Sequence, residues 1–189
     1  MRIIAGTARG RTIIAPKGQN TRPTQDYVRE SLFNIIQRDV PEANVLDLFA
    51  GSGALALEAL SRGARRAVMA DQSRQAIECI RRNTETLGFS QQTLIAQGDW
   101  KSVVQRIENE TFDLVFLDPP YQLSKYGEIT DRLQNRQLLA RDALIIIEHR
   151  KDVDIALSTD FVCGGFRTYG GDTVIHFYRF NAGGNNDGE

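Results

Sequence analysis

Apolar positions along the chain follow two rhythms. From residue 45 onward, continuous apolar runs (VLDLF at 45–49, RAVMA at 66–70, TLIAQ at 93–97, DLVFL at 113–117 and ALIII at 143–147) alternate with stretches of helical character. Helices are predicted near 53–62, ending at Gly63, near 74–87, ending at Gly88, and as shorter pieces near 100–107 and 126–137. Strands apolar on both faces and separated by helices make a parallel sheet covered on both sides. The last runs differ: FVCGGFRTY and TVIHFYRF flank Gly170 and Gly171 and read as an antiparallel pair.

Ahead of this body, RIIA at 2–5 and RTIIA at 11–15 are β-prone runs on either side of Gly6 and Gly10, the pattern of a hairpin. Pro16, Gly18 and Pro23 mark a loop. Thr24 is then expected to cap a helix reaching about Arg38, with Asp26 in its first turn and Val28, Leu32, Ile35 and Ile36 as its apolar stripe. Residues 181–189 (NAGGNNDGE) offer little to bury and read as a disordered tail. The chain is thus expected to divide into a basic hairpin arm (1–20), an α/β domain (21–180) and that tail, with no internal repeat.

Composition narrows the class. A chain of 189 residues, 41% hydrophobic and 25% charged, fits one soluble globular domain. No apolar run approaches the ~20 residues that span a bilayer, and the N-terminus has no signal-peptide core. Cys79 and Cys163 have neither metal nor redox spacing, and His149 and His176 read as strand residues. A reduced, cytoplasmic protein with no membrane, metal or obligate protein partner is the expectation.

A net charge of -1 argues against a polyanionic partner until the chain is divided. Residues 1–38 carry seven Lys or Arg against Asp26 and Glu30, whereas the remainder carries 16 bases against 22 acids. Of the 23 basic residues 19 are Arg, suited to bidentate phosphate contacts and to stacking on bases. Either the arm meets a polyanion, with Arg2, Arg9 and Arg11 on phosphates, or it is a solvated basic end.

Two motifs carry chemistry. In VLDLFAGSGALALEAL a Gly-rich turn lies between a strand and a helix, and Asp71 follows 20 residues after Gly51, where a carboxylate can take ribose hydroxyls. That pattern also satisfies the dinucleotide fingerprint, so a nicotinamide enzyme stays open. Asp47 favours another ligand. A carboxylate there would repel a pyrophosphate but attract the ammonium and sulfonium of S-adenosylmethionine. Asp99, after the third strand, stands where it can accept a bond from the adenine amine, or it merely caps a turn.

The second motif is DPPY at 118–121. Proline fixes φ and restricts the residue before it, so the carbonyls around Asp118 and Pro119 are held in one direction. Acceptors aimed at both hydrogens of a ring-attached amine stabilise the positive charge that grows on it during methyl transfer. Pro120 stiffens the same turn, and Tyr121 supplies a face on which a base stacks. Lys125 and Tyr126, just beyond, are weaker candidates for contact with a polyanion.

At these residues the chain resembles the class I S-adenosylmethionine-dependent methyltransferases that act on amino groups. Through RIIAG…RGR…APKG…TRPTQDYVRESLFNII it resembles the RsmD family of bacterial 16S ribosomal RNA guanine-N2 methyltransferases. The resemblance spans about residues 2–180. It implies an α/β, Rossmann-like sheet of seven mostly parallel strands, helices on both faces, the last strand antiparallel, preceded by a β-hairpin extension. It implies S-adenosylmethionine bound around Asp47, Phe49, Gly51, Gly53, Asp71, Asp99 and Asp118, with Arg22 and Thr24 closing over it. It further implies a guanine N2 amine in 16S RNA as target, within a small ribosomal subunit or an assembly intermediate. Two positions depart from the pattern: Asp71 stands where relatives generally carry Glu, and Gln72-Ser73 replaces a more charged stretch. DPPY chemistry serves adenine N6 or cytosine N4 equally well, so an adenine-N6 methyltransferase remains open, as does a non-catalytic RNA-binding assembly factor. A glutamine-modifying methyltransferase would carry NPPY.

Overall fold

Alternating apolar runs and amphipathic stretches fold into a layered sheet whose elements follow in the order α1 (Pro23–Ile35), β1 (Asn44–Asp47), α2 (Ala54–Ser61), β2 (Arg66–Asp71), α3 (Arg74–Leu87), β3 (Thr93–Gln97), α4 (Trp100–Arg106), β4 (Phe112–Leu117), α5 (Tyr126–Asn135), β5 (Leu139–Arg150), β6 (Phe161–Tyr169) and β7 (Thr173–Phe180). This is a computed structural model; it describes residues 1–16, 23–120 and 125–181, with the backbone alone for 23–25. The seven strands lie in the order β3-β2-β1-β4-β5-β7-β6. β1 to β5 run parallel, and β7 inserts antiparallel between β5 and β6. The expected mostly parallel sheet with an antiparallel last strand is what forms. No helix among the described residues is long and apolar enough to cross a membrane.

Two cores sandwich the sheet. Val45, Met69, Phe116, Ile146 and Ile175 face one side, packed against Phe33 of α1, Leu57 of α2 and Ile77 and Ile80 of α3. Leu46, Val68, Val115, Ile145 and Tyr178 face the other, under Val103 of α4 and Ile129 of α5. Side chains alternate along a strand with period two. Asp47, Asp71, Asp118 and Glu148 therefore follow Val45, Met69, Phe116 and Ile146 onto the same face, at the carboxyl ends of four adjacent strands.

Local differences from expectation have physical reasons. α1 starts at Pro23, so Thr24 is inside its first turn and is not its cap. Proline suits a first helical position, whose N–H would have no helical partner. The hairpin reduces to a single bridge between Arg2 and Thr12. Around that bridge Ile3 N–H donates to the Arg11 carbonyl at 3.0 Å and Ile13 N–H to the Met1 carbonyl at 3.1 Å. Other backbone groups bond to the body: Ile4 and Ala5 donate to the Glu58 carboxylate at 2.8 and 3.0 Å, and Ile14 donates to Asn83 Oδ1 at 2.8 Å. Ile3, Ala8 and Ile13 sink into the core beside α1 and α2. At Gly6, with φ at 82°, any Cβ would overlap the Ser61 carbonyl. β5 runs on past residue 147 because β7 pairs with it as far as Arg150.

Candidate active site

β1 lies between β2 and β4, where the strand order reverses direction, and Asp47 is in register with Met69 on one side and Phe116 on the other. Crevices at such switch points are where open α/β sheets take ligands. The chain leaves β1 through a tight turn closed by Ala50 N–H to the Ala70 carbonyl at 2.9 Å and Gly53 N–H to the Ala50 carbonyl at 2.6 Å. Gly53 has φ at 79°, and a Cβ there would lie 2.9 Å from Met69 Sδ and 3.3 Å from Leu57 Cδ1. Glycine is required on both counts, and α2 starts directly behind it without a side-chain cap.

Asp47 is 2% exposed. Its carboxylate accepts the Phe49 and Ala56 N–H groups, yet burial, aided by the nearby Asp71 charge, pushes its pKa to about 7. No basic side chain pairs with it among the described residues. A buried carboxylate held only by backbone donors fits a ligand that brings its own positive charge. Asp71 uses both oxygens on the backbone: Oδ2 takes Gly51 N–H at 2.9 Å and Oδ1 takes Ser73 N–H at 2.8 Å. The shorter acid thus ties the glycine turn to the end of β2. Asp99 is exposed and caps α4, with Oδ1 accepting from Lys101 N–H at 3.0 Å and Ser102 N–H at 3.2 Å. The bonds from Ser102 hold its pKa below the ordinary value.

At the end of β4, Asp118 opens onto the cleft while Pro119 is buried. Although its surface is accessible, the surrounding protein mass, and after it the Glu148 and Asp47 charges, pushes the Asp118 carboxyl well above its ordinary value. Glu148, half-buried on β5, is raised by burial. Pro120 is exposed. Arg22 and Tyr121 lie outside the described residues, as do the Thr24 side chain and residues 182–189.

The expected RNA contacts divide. Arg2 and Arg9 are exposed and line a cavity of about 470 Å³ together with Asp26, Tyr27 and Glu30. Arg11 is occupied, donating to the Leu87 carbonyl at 3.1 Å and to that of Thr86, the unsatisfied carbonyl end of α3. Lys125 pairs with Glu128 at 3.5 Å. Tyr126 is not on the surface. It is 5% exposed, and its hydroxyl donates to the Glu148 carbonyl at 3.2 Å; an apolar ring at the start of an amphipathic helix went to the core. The sequence reading missed Tyr27, 64% exposed on α1, and Glu148. Asp47, Asp71 and Asp118 are found through the glycine turn and the DPPY motif; Glu148 in ALIIIEH shares their place at a strand's carboxyl end, a signal usable once β5 is known to extend that far.

This strand order, with a glycine turn at its switch point and acids at its strand ends, is that of a class I methyltransferase of Rossmann-like fold. The Escherichia coli protein yhhF superimposes with a TM-score of 0.85 at 31% identity, over 97% of this chain and 99% of its own. A family model described as Conserved hypothetical protein 95 matches residues 1–179. Ribosomal RNA small subunit methyltransferase D of Haemophilus influenzae is 36% identical over 154 residues, 80% of each chain. Its Escherichia coli counterpart is 36% identical over 148 residues, 78% of this chain and 74% of that protein. The chain belongs to this family, the RsmD methyltransferases.

Proposed function

We propose that the protein transfers a methyl group from S-adenosylmethionine to the N2 amine of a guanine in 16S ribosomal RNA, within a small ribosomal subunit or an assembly intermediate. The observation that carries this reading is the pairing of a buried Asp47, held by backbone donors alone, with Asp118 two residues past its β4 register partner Phe116. One position suits a cationic ligand and the other an amine. Asp47 binds the positively charged end of the cofactor, the turn through Phe49, Gly51 and Gly53 passes along it, Asp71 holds that turn beside the ribose, and Asp99 stands at the adenine rim. S-adenosylmethionine, when bound, supplies an electrophilic methyl whose departure returns the carbon–sulfur bonding pair to sulfur. Asp118 and the Pro119 carbonyl accept the two amine hydrogens and turn the nitrogen lone pair toward that methyl. As the nitrogen–carbon bond forms, the nitrogen sheds one proton to Asp118, whose raised proton affinity suits the task. Tyr121 would carry the base, drawn out of its strand because folded RNA hides its base edges. Arg2 and Arg9 meet phosphates, with Lys125 as a weaker contact.

Incubation of labelled cofactor with naked 16S RNA and with assembled small subunits, followed by nucleoside analysis, tests the reading. N2-methylguanine is expected. N6-methyladenine, or no product with either substrate, overturns it.

A further inference from the structure

The acceptor end of the cleft holds one more carboxylate than amine activation requires. β4 and β5 pair in parallel with Leu117 opposite Ile147. The residues one step further, Asp118 and Glu148, are therefore cross-strand neighbours on the same face, about 5 Å apart from strand to strand. Across the sheet from Glu148, β7 presents Ile175, and beyond it β6 presents Arg167, whose guanidinium donates to the Phe166 carbonyl. The Tyr126 hydroxyl from α5 donates to the Glu148 backbone carbonyl. Among the described residues the Glu148 side chain has no cation and no hydrogen-bond donor, although it is half-buried. Its carboxylate thus stands ready to accept a donor on the substrate side of the sheet, beside Asp118.

We propose that Glu148 determines the base: it accepts the ring N1–H of a guanine whose N2 amine is held by Asp118 and the Pro119 carbonyl. The inference rests on the methyl-transfer reading above and names what distinguishes its substrate. Guanine alone among the amino bases presents a ring N–H beside its exocyclic amine. Adenine and cytosine present a bare ring nitrogen there, whose lone pair would face the Glu148 oxygens. Two acceptors in a row thus match the guanine edge and repel the other two. A site built for a hydrogen bond rejects the analogue lacking that bond more strongly than an apolar pocket rejects a change of size.

The test compares substrates carrying guanosine or 2-aminopurine at the methylated position, the latter keeping the N2 amine but losing the N1 hydrogen. Wild-type enzyme is expected to favour guanosine by at least ~10-fold in kcat/KM. Glu148→Gln, whose amide donates to a bare ring nitrogen, narrows or inverts that ratio. Its kcat on guanosine falls roughly 10-fold or more, while KM for the cofactor and the cofactor-induced rise in Tm are unchanged. Glu148→Asp keeps the guanosine preference at reduced rate. An unchanged ratio in Glu148→Gln overturns the assignment and leaves the methyl-transfer reading standing. Wild-type enzyme making no N2-methylguanine at all removes both. Should the Gln variant fail to fold, loss of guanosine preference in Glu148→Asp overturns the assignment by itself.

Discussion

Burial of Asp47 costs the folded chain stability whenever the carboxyl is ionised. Its pKa is about 7 against an ordinary 3.8, so the native state binds a proton that the unfolded chain has released. The sign follows from linkage: this contribution to stability falls as pH rises from about 4 to 7 and is constant above. Asp47→Asn is expected to raise the Tm of the ligand-free protein at pH 8, by on the order of 2–4 kcal/mol of stability, and to do little at pH 4. The same substitution should weaken S-adenosylmethionine binding by ~10-fold or more, since a charge-assisted contact is lost. Calorimetry at both pH values reads the two effects, and a lower Tm at pH 8 would contradict the electrostatic account. Asp118→Ala, by contrast, should abolish turnover and leave cofactor affinity nearly unchanged in equilibrium binding. Both acids are legible in the sequence, Asp47 from its place four residues ahead of Gly51 and Asp118 from the DPPY turn. Glu148 is not, since the run ALIII gives no sign that the strand continues through Glu148 to Arg150. The backbone bonds of Asp71 and Asp99 were equally hidden: they depend on where neighbouring N–H groups come to rest.

The helices and strands of the α/β body were legible because their punctuation is local. Ser73 caps α3 by accepting Ala76 N–H, and Gly88 ends it with φ at 81°. The N-terminal segment pairs antiparallel as its pattern suggests, but its docking onto the body is not legible, because the partners that hold it lie more than 50 residues away in sequence. Glu58, fully buried, accepts two of its N–H groups and pairs with Arg62 at 2.8 Å and Arg29 at 3.7 Å. Glu58→Gln should destabilise the fold by roughly 3 kcal/mol in urea titration, since buried Arg29 then loses a compensating charge. Within this element the three arginines separate by their bonds. Arg2→Ala with Arg9→Ala is expected to weaken RNA binding and to flatten the slope of log affinity against log salt by about 1–2, with Tm unchanged. Arg11→Ala should leave that slope alone and lower stability by about 1 kcal/mol through the lost α3 contacts. Equal slopes for the two sets would remove the distinction.

For the molecule as a whole, a cofactor that neutralises Asp47 must also displace its proton. Titration calorimetry in two buffers of different ionisation enthalpy should register about half a proton released per S-adenosylmethionine bound at pH 7, falling toward none from this group at pH 9. Proton uptake on binding would be inconsistent with an ionised Asp47 in the complex. The sheet order has a consequence of another kind, in the timing of assembly. Among the described residues β7, made last of the seven strands, is the one sheet neighbour of β6 and completes the pairing of β5. While the chain is being synthesised, β5 and β6 emerge with edges that nothing yet covers, and β6 carries Val162 and Phe166 in the open. Uncovered edges of this sort template pairing between chains. Chains interrupted between residues 170 and 173 should therefore accumulate as aggregates, and the turn at Gly170 and Gly171, which swings β7 back between its neighbours, sets how long that exposure lasts.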